Sequence, residues 1–244
     1  MHIVRGQIIS GATVNSNLRA RRVTRKGIIL KLLRSGDYHK AVTKLRDLPH
    51  SQAINSLLSF LYHGDETVKW TAVSVIGMTV LSLADADMER ARNILRRLMW
   101  NLNDESGGIG WGSPEAMGEI LANHQGLAKE YAHILISYAR EDGNYLEDER
   151  LQRGLLWAIG RLAQNRPALM EGAKGLLLPY LRSPDPFVRG YSAWVTGLLR
   201  VQEAKRDLEG LLDDDRMIKV YINHKLLKRG VMDLAKEALE RLSV

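Results

Sequence analysis

The residues best suited to chemistry lie between Trp100 and Glu119, in the run Trp-Asn-Leu-Asn-Asp-Glu-Ser-Gly-Gly-Ile-Gly-Trp-Gly-Ser-Pro-Glu-Ala-Met-Gly-Glu. Their chemistry is recognition. Trp100 and Trp111 offer flat stacking surfaces, and Asn103, Asp104 and Glu105 supply amides and carboxylate acceptors. Glu115 and Glu119 follow one helical turn apart and so share a face. A Gly-rich loop is costly to order and is rarely retained for packing alone, which makes these seven residues the expected partner-binding set. The alternative is a packed plug, with the two tryptophans filling a gap between neighbouring elements.

Other site chemistries do not fit. The glycines at 107, 108, 110 and 112 follow no strand and precede no Lys-Ser/Thr pair, so they do not form a phosphate cradle. Glu115, Glu119, His124 and His133 are numerous enough for a divalent metal, but surface acids and satisfied histidines account for them more simply. The acidic stretch from Glu141 to Glu149 lacks the register of a calcium loop. The chain has no cysteine, which removes disulfides, thiolate metal sites and cysteine nucleophiles together and fits a reducing cytoplasm. No catalytic residue, cofactor or metal is expected.

Charge is unevenly placed. Of the 244 residues, Met1 to Gly36 carry eight basic residues and no acid, so the remaining 208 hold 27 basic against 28 acidic. The body is neutral and the head basic. An arm bearing Arg19, Arg21, Arg22, Arg25 and Lys26 suits nucleic acid or another polyanion, although arms of this kind are also often simply solvated. No apolar run reaches the roughly 18 residues of a membrane span and no secretory leader is evident, which points to a cytoplasmic setting.

The elements that must position these residues are helical, because apolar residues recur at three and four along most of the chain. The helices share a pattern: Asp, an apolar residue at +3, a basic or polar one at +4, a small or apolar one at +7 and Gly at +12. It occurs at Asp65 to Gly77, Asp148 to Gly160 and Asp185 to Gly197, and again from Asp215 with Leu227 in place of Gly. Ser113-Pro114-Glu115 reads as a further helix start, with Ser as N-cap, and divides the 83-residue gap between Asp65 and Asp148 into 48 and 35. Partner helices are expected at 51–62, 87–102, 127–140, 168–181 and 203–212. The cap, the apolar stripe and a glycine for close approach describe stacked helix pairs, with the +4 basic residues Lys69, Arg189 and Lys219 paired to acids of the next repeat.

This pattern resembles HEAT repeats of the short bacterial type. The segment Arg96 to Ala163 is similar to HEAT-like proteins of sulfate-reducing and related anaerobic bacteria, a resemblance that brings no activity with it. The resemblance implies a right-handed all-α solenoid of about five helix pairs over residues 37–244, with the loop inserted at 100–112 and a basic arm and first helix over 1–36. Its implied role is a non-enzymatic scaffold that binds a protein partner through the concave groove and the loop. HEAT-type metal hydroxylases carry His-Glu pairs, and this chain has none. The alternative is a nucleic-acid-binding protein of the alkylpurine DNA glycosylase type, but Trp157 and Trp194 are followed at +4 by Arg161 and Leu198, without the carboxylate that chemistry needs.

Overall fold

The computed structural model describes residues 25–46, 48–103 and 110–243. Helix α1 covers 25–34, followed by α2 (Tyr38–Arg46), α3 (His50–Leu58), α4 (Glu66–Ala86), α5 (Met88–Leu102), α6 (Ser113–Asn123), α7 (Gln125–Ser137), α8 (Glu149–Asn165) and α9 (Pro186–Leu198). After a short α10 (Lys205–Glu209) comes an antiparallel hairpin, β1 (Met217–Ile222) and β2 (Lys225–Gly230), then α11 (Val231–Leu242). Helices α4, α6, α8, α9 and α11 pack in sequence as one layer, backed by α3, α5, α7 and 3-10 segments. The result is an α-solenoid.

The repeat pattern has a direct structural cause. Asp65, Asp148 and Asp185 each accept hydrogen bonds from the first backbone N–H groups of α4, α8 and α9, meeting donors that a helix leaves unpaired. A Cβ at Gly197 would stand 2.7 Å from the Cα of Ala238, so α9 and α11 approach as only glycine allows. Gly77 and Gly160 are crowded in the same way by Glu119 and Trp194. Two rungs of the charge ladder are present: Lys69 reaches Glu115 at 2.6 Å and Arg189 reaches Asp214, just ahead of β1, at 2.6 Å, whereas Lys219 pairs not with a following repeat but with Glu66 of α4. In the third repeat Arg153, one place beyond the expected position, pairs with Asp185.

Four expectations are corrected. The copy from Asp215 is the β-hairpin: Met217 to Val220 alternate exposed and buried, Tyr221 is buried as well, and Asn223-His224 adopts the double positive-φ turn that suits a two-residue hairpin. Ser113 lies inside α6 rather than capping it. Gly112 takes the cap position at φ 80°, and no side chain caps that helix. The segment expected as a helix at 168–181 is 3-10 in form, broken by Pro167, Pro179 and the glycines between them. Finally, α4 is long and apolar enough to cross a membrane, yet two-thirds of its apolar window is buried within the solenoid, the mark of a core helix.

Candidate functional site

The hairpin lies across the inner face. In a two-residue hairpin, Lys219 and Tyr221 occupy positions whose carbonyls point away from the partner strand. The solenoid takes up both: Tyr191 Oη donates to the Lys219 carbonyl at 2.9 Å and Trp157 Nε1 to the Tyr221 carbonyl at 2.7 Å. Burial, with Glu115 and Glu66 adding to it, pushes the Tyr191 hydroxyl far up, so it remains a donor. The Tyr221 ring stacks on Trp70, and its hydroxyl, pushed up to about 12 by burial against the opposing hydrogen bond of Ser74, meets Ser74 Oγ at 3.0 Å. His224 at the turn stacks on Tyr38 at 3.8 Å and meets Ser74 Oγ at 3.1 Å. Lys219 closes the arrangement through an ion pair with Glu66 at the start of α4. Residue 219 therefore touches both α4 and α9, so that β1 bridges the inner face.

Beside β1 the groove remains open as a cavity of about 400 Å³ among the N-terminal ends of α4, α6, α8 and α9. Its walls alternate cations with aromatic rings. Lys69 Nζ stands 5.0 Å from the Trp70 ring centre, and the Arg150 and Arg153 guanidiniums each stand 4.6 Å from Trp111 and Phe187. Charge held over a π-face in a partly desolvated cleft suits recognition of a polar segment with apolar neighbours. Glu115 reaches this cavity from α6 with one carboxylate oxygen on Lys69, while its Oε2 is buried against Gly154 without a hydrogen-bond partner. A second cavity of about 650 Å³, near Tyr145 and Tyr180, lies beyond the start of α8 and is bordered by Glu141, Glu147 and Glu149.

The described members of the expected binding set are not all brought together. Trp111 and Glu115 line the Arg150 cavity. Trp100 does not: the inward stripe of α5 is Ala91, Leu95, Leu98 and Leu102, so residue 100 turns outward and is 75% exposed. Asn103, at the end of α5, is also exposed. Glu119 is no surface acid. It is 1% exposed, bound by Arg161 Nε at 2.7 Å and by Asn123 at 3.0 Å, and Glu115 is likewise buried. Both face inward because α6 is covered on all sides and every residue from Ser113 to Ala122 is buried. Asp104 and Glu105 lie outside the described residues, as do Arg19, Arg21 and Arg22 of the arm. Arg25 and Lys26 open α1, with Lys26 Nζ 5.3 Å from the Phe60 ring centre and Ile29 and Leu33 fully buried beneath, so this part of the head belongs to the packed body.

Sequence reasoning missed Arg150, Arg153, Phe187 and the hairpin. The hairpin had a signal, the alternation Ile-Lys-Val-Tyr-Ile ahead of Asn-His. The site arginines had none, since Arg150 and Arg153 look like any solvated helix face until α8 is set beside Trp111. Among the described residues no group of three or more His, Asp or Glu could hold a metal.

Residues 149–195 match the HEAT-like repeat family. An uncharacterised protein of Archaeoglobus fulgidus is 32% identical over 111 residues, a match covering 45% of this chain and 54% of that protein, so the chain spans about half the length of this relative. Among solved structures, one engineered protein matches with a TM-score of 0.57 at 16% identity, covering 90% of this chain and 92% of that one. A designed armadillo repeat protein matches with a TM-score of 0.55 at 17% identity, over 89% and 92%. Another, in complex with the peptide (KR)4, matches with a TM-score of 0.50 at 18% identity, over 88% and 98%.

Proposed function

We propose that this chain is a non-enzymatic HEAT-type scaffold in a cytoplasmic setting, which docks a protein partner at the Trp111 end of its groove. The observation that carries this reading is the open cavity beside β1, where Trp111 is half-buried under Arg150 and aromatic walls stand next to cations. Interfaces draw most of their energy from anchors of these types, Trp, Tyr and Arg, set in partly desolvated pockets. The peptide-bound designed armadillo protein supports a protein partner by likeness of fold. Trp100 and Asn103, exposed on the outer layer, are a separate surface that the same partner would reach around the edge of the stack, and Asp104 and Glu105 stay in the proposed binding set on sequence grounds alone. Glu119 serves this reading as a support, since it fixes Arg161 below the hairpin. Contact of the basic arm (Arg19, Arg21, Arg22, Arg25 and Lys26) with a polyanion, and kinship with HEAT-like proteins of sulfate-reducing anaerobes, belong to the same proposal.

The test is Trp111→Ala. Capture of the native partner by the tagged chain should fall by about 30-fold in affinity, roughly 2 kcal/mol, while the melting temperature moves little. A loss of stability on the order of 3–5 kcal/mol with capture unchanged would make Trp111 a packing residue instead.

A further inference from the structure

Cations outnumber acids around the Trp111 cavity: Lys69, Arg150, Arg153 and Lys219 line it against Glu66 and Glu115. Three of the four are neutralised in place, Lys69 by Glu115, Arg153 by Asp185 and Lys219 by Glu66. Arg150 has no ion pair or side-chain hydrogen bond among the described residues, and its guanidinium stands over the face of Trp111. A guanidinium stacked on an indole keeps its N–H donors in the plane of its edge, where they match the two oxygens of a carboxylate. The stacking also restrains a long side chain before any ligand arrives, which lowers the ordering cost of binding. Beside it, Tyr62 is 58% exposed and presents an uncommitted aromatic surface.

The form of the ligand is indicated by what already lies in the groove. Strand β1 is an extended segment whose alternate carbonyls, at 219 and 221, are taken by Tyr191 and Trp157. The cavity continues alongside this track, with Lys219 in its wall. We propose that the cavity takes an acidic, extended segment of a partner protein, with one side-chain carboxylate forked on Arg150 and an adjacent aromatic or apolar side chain against Tyr62 and Trp111. This deepens the docking reading above and rests on it.

The test uses the full chain and three fluorescent probes: an eight-residue peptide alternating Glu and Phe, its counterpart alternating Lys and Phe, and a short oligo-dT. The Glu/Phe peptide should bind, weaken at least about tenfold as salt rises from low to physiological levels, and bind well ahead of the other two. Arg150→Glu should weaken it at least tenfold, and Arg150→Lys, which keeps the charge and loses the fork, at least threefold. Arg150 is exposed, so both variants should retain the wild-type circular dichroism and melting curve. Tighter binding of the Lys/Phe peptide or of oligo-dT, or Glu/Phe binding indifferent to Arg150, overturns the proposal. If Trp111→Ala still abolishes capture of the native partner in that case, the docking reading stands and the carboxylate assignment falls. If no probe binds and Trp111→Ala leaves capture intact, both fall.

Discussion

Tyr221 lies stacked on Trp70, ring centres 4.9 Å apart and planes 13° from parallel, and so ties the C-terminal hairpin to the first long inner helix. Trp157 leans on the same Trp70 ring at 4.7 Å while its indole N–H holds the Tyr221 backbone. The inner face of this solenoid is thus filled at its centre by its own chain, and the cationic cavity lies open at one side of it. A solenoid normally couples only neighbouring repeats, whereas this hairpin couples α4 to α9 directly, which should make unfolding more cooperative than in an open stack.

Tyr221→Ala removes a ring that is only 6% exposed and stacked on Trp70, and should cost about 3–5 kcal/mol. Tyr221→Phe keeps the stack and loses the Ser74 hydrogen bond, for about 0.5–1.5 kcal/mol. Denaturant midpoints check both values. Amide exchange across 217–230 should accelerate in the alanine variant before it does in α6 or α8.

The hairpin also gives the protein a pH dependence. Burial lowers the His224 pKa below its ordinary 6.5; Glu119 opposes this, while Arg161 and His39 add to it. A base whose folded-state pKa is depressed contributes stability in full above its unfolded value, and that contribution falls as pH drops through about 6.5 toward the folded pKa. Melting temperature should therefore decline between about pH 7 and 5, and His224→Gln should flatten the decline. An equal slope in both proteins would place the titration elsewhere.

Gly197→Leu should overpack the α9–α11 contact against Ala238 and cost on the order of 1–3 kcal/mol, read as a lower melting temperature. This effect follows from the +12 position of the sequence pattern, and it shows which part of the fold was legible. Asp caps, apolar spacing and interfacial glycines are local or periodic, so one chain displays them. The hairpin was hidden because its first strand is only six residues long and Asp215, just ahead of it, mimics a cap. The site was hidden for a different reason: Lys69, Trp111, Arg150 and Phe187 come from four elements, and only stacking brings them to one cavity. Glu119 was misread because an acid at helical spacing signals solvent unless its partner, Arg161, is known to lie across from it.

Removing Met1 to Ala20 should leave the fold intact. Helix α1, where Ile29 and Leu33 are fully buried, is untouched by that deletion. Leu33→Ala, by contrast, should cost about 2–5 kcal/mol. Comparing melting curves of the truncated chain and Leu33→Ala separates the arm from the helix. A truncated chain that failed to fold would make the arm a structural element.

Two arginines of α8 should behave in opposite ways. Arg161 neutralises Glu119, whose side chain is 2% exposed, and the Arg161 side chain is itself 20% exposed. Arg161→Ala leaves a buried carboxylate uncompensated except for Asn123, and breaking such a pair from one side costs about 3–5 kcal/mol. The double variant Arg161→Ala with Glu119→Gln should recover a good part of that loss, because the stranded charge is gone. Arg150→Ala removes an exposed side chain stacked on Trp111 and should change stability by no more than about 0.5 kcal/mol. Chemical denaturation of the three variants tests the contrast. A large destabilisation by Arg150→Ala would mean that Arg150 holds Trp111 in place for folding, and a neutral Arg161→Ala would mean that Glu119 finds water or another donor when its partner is removed.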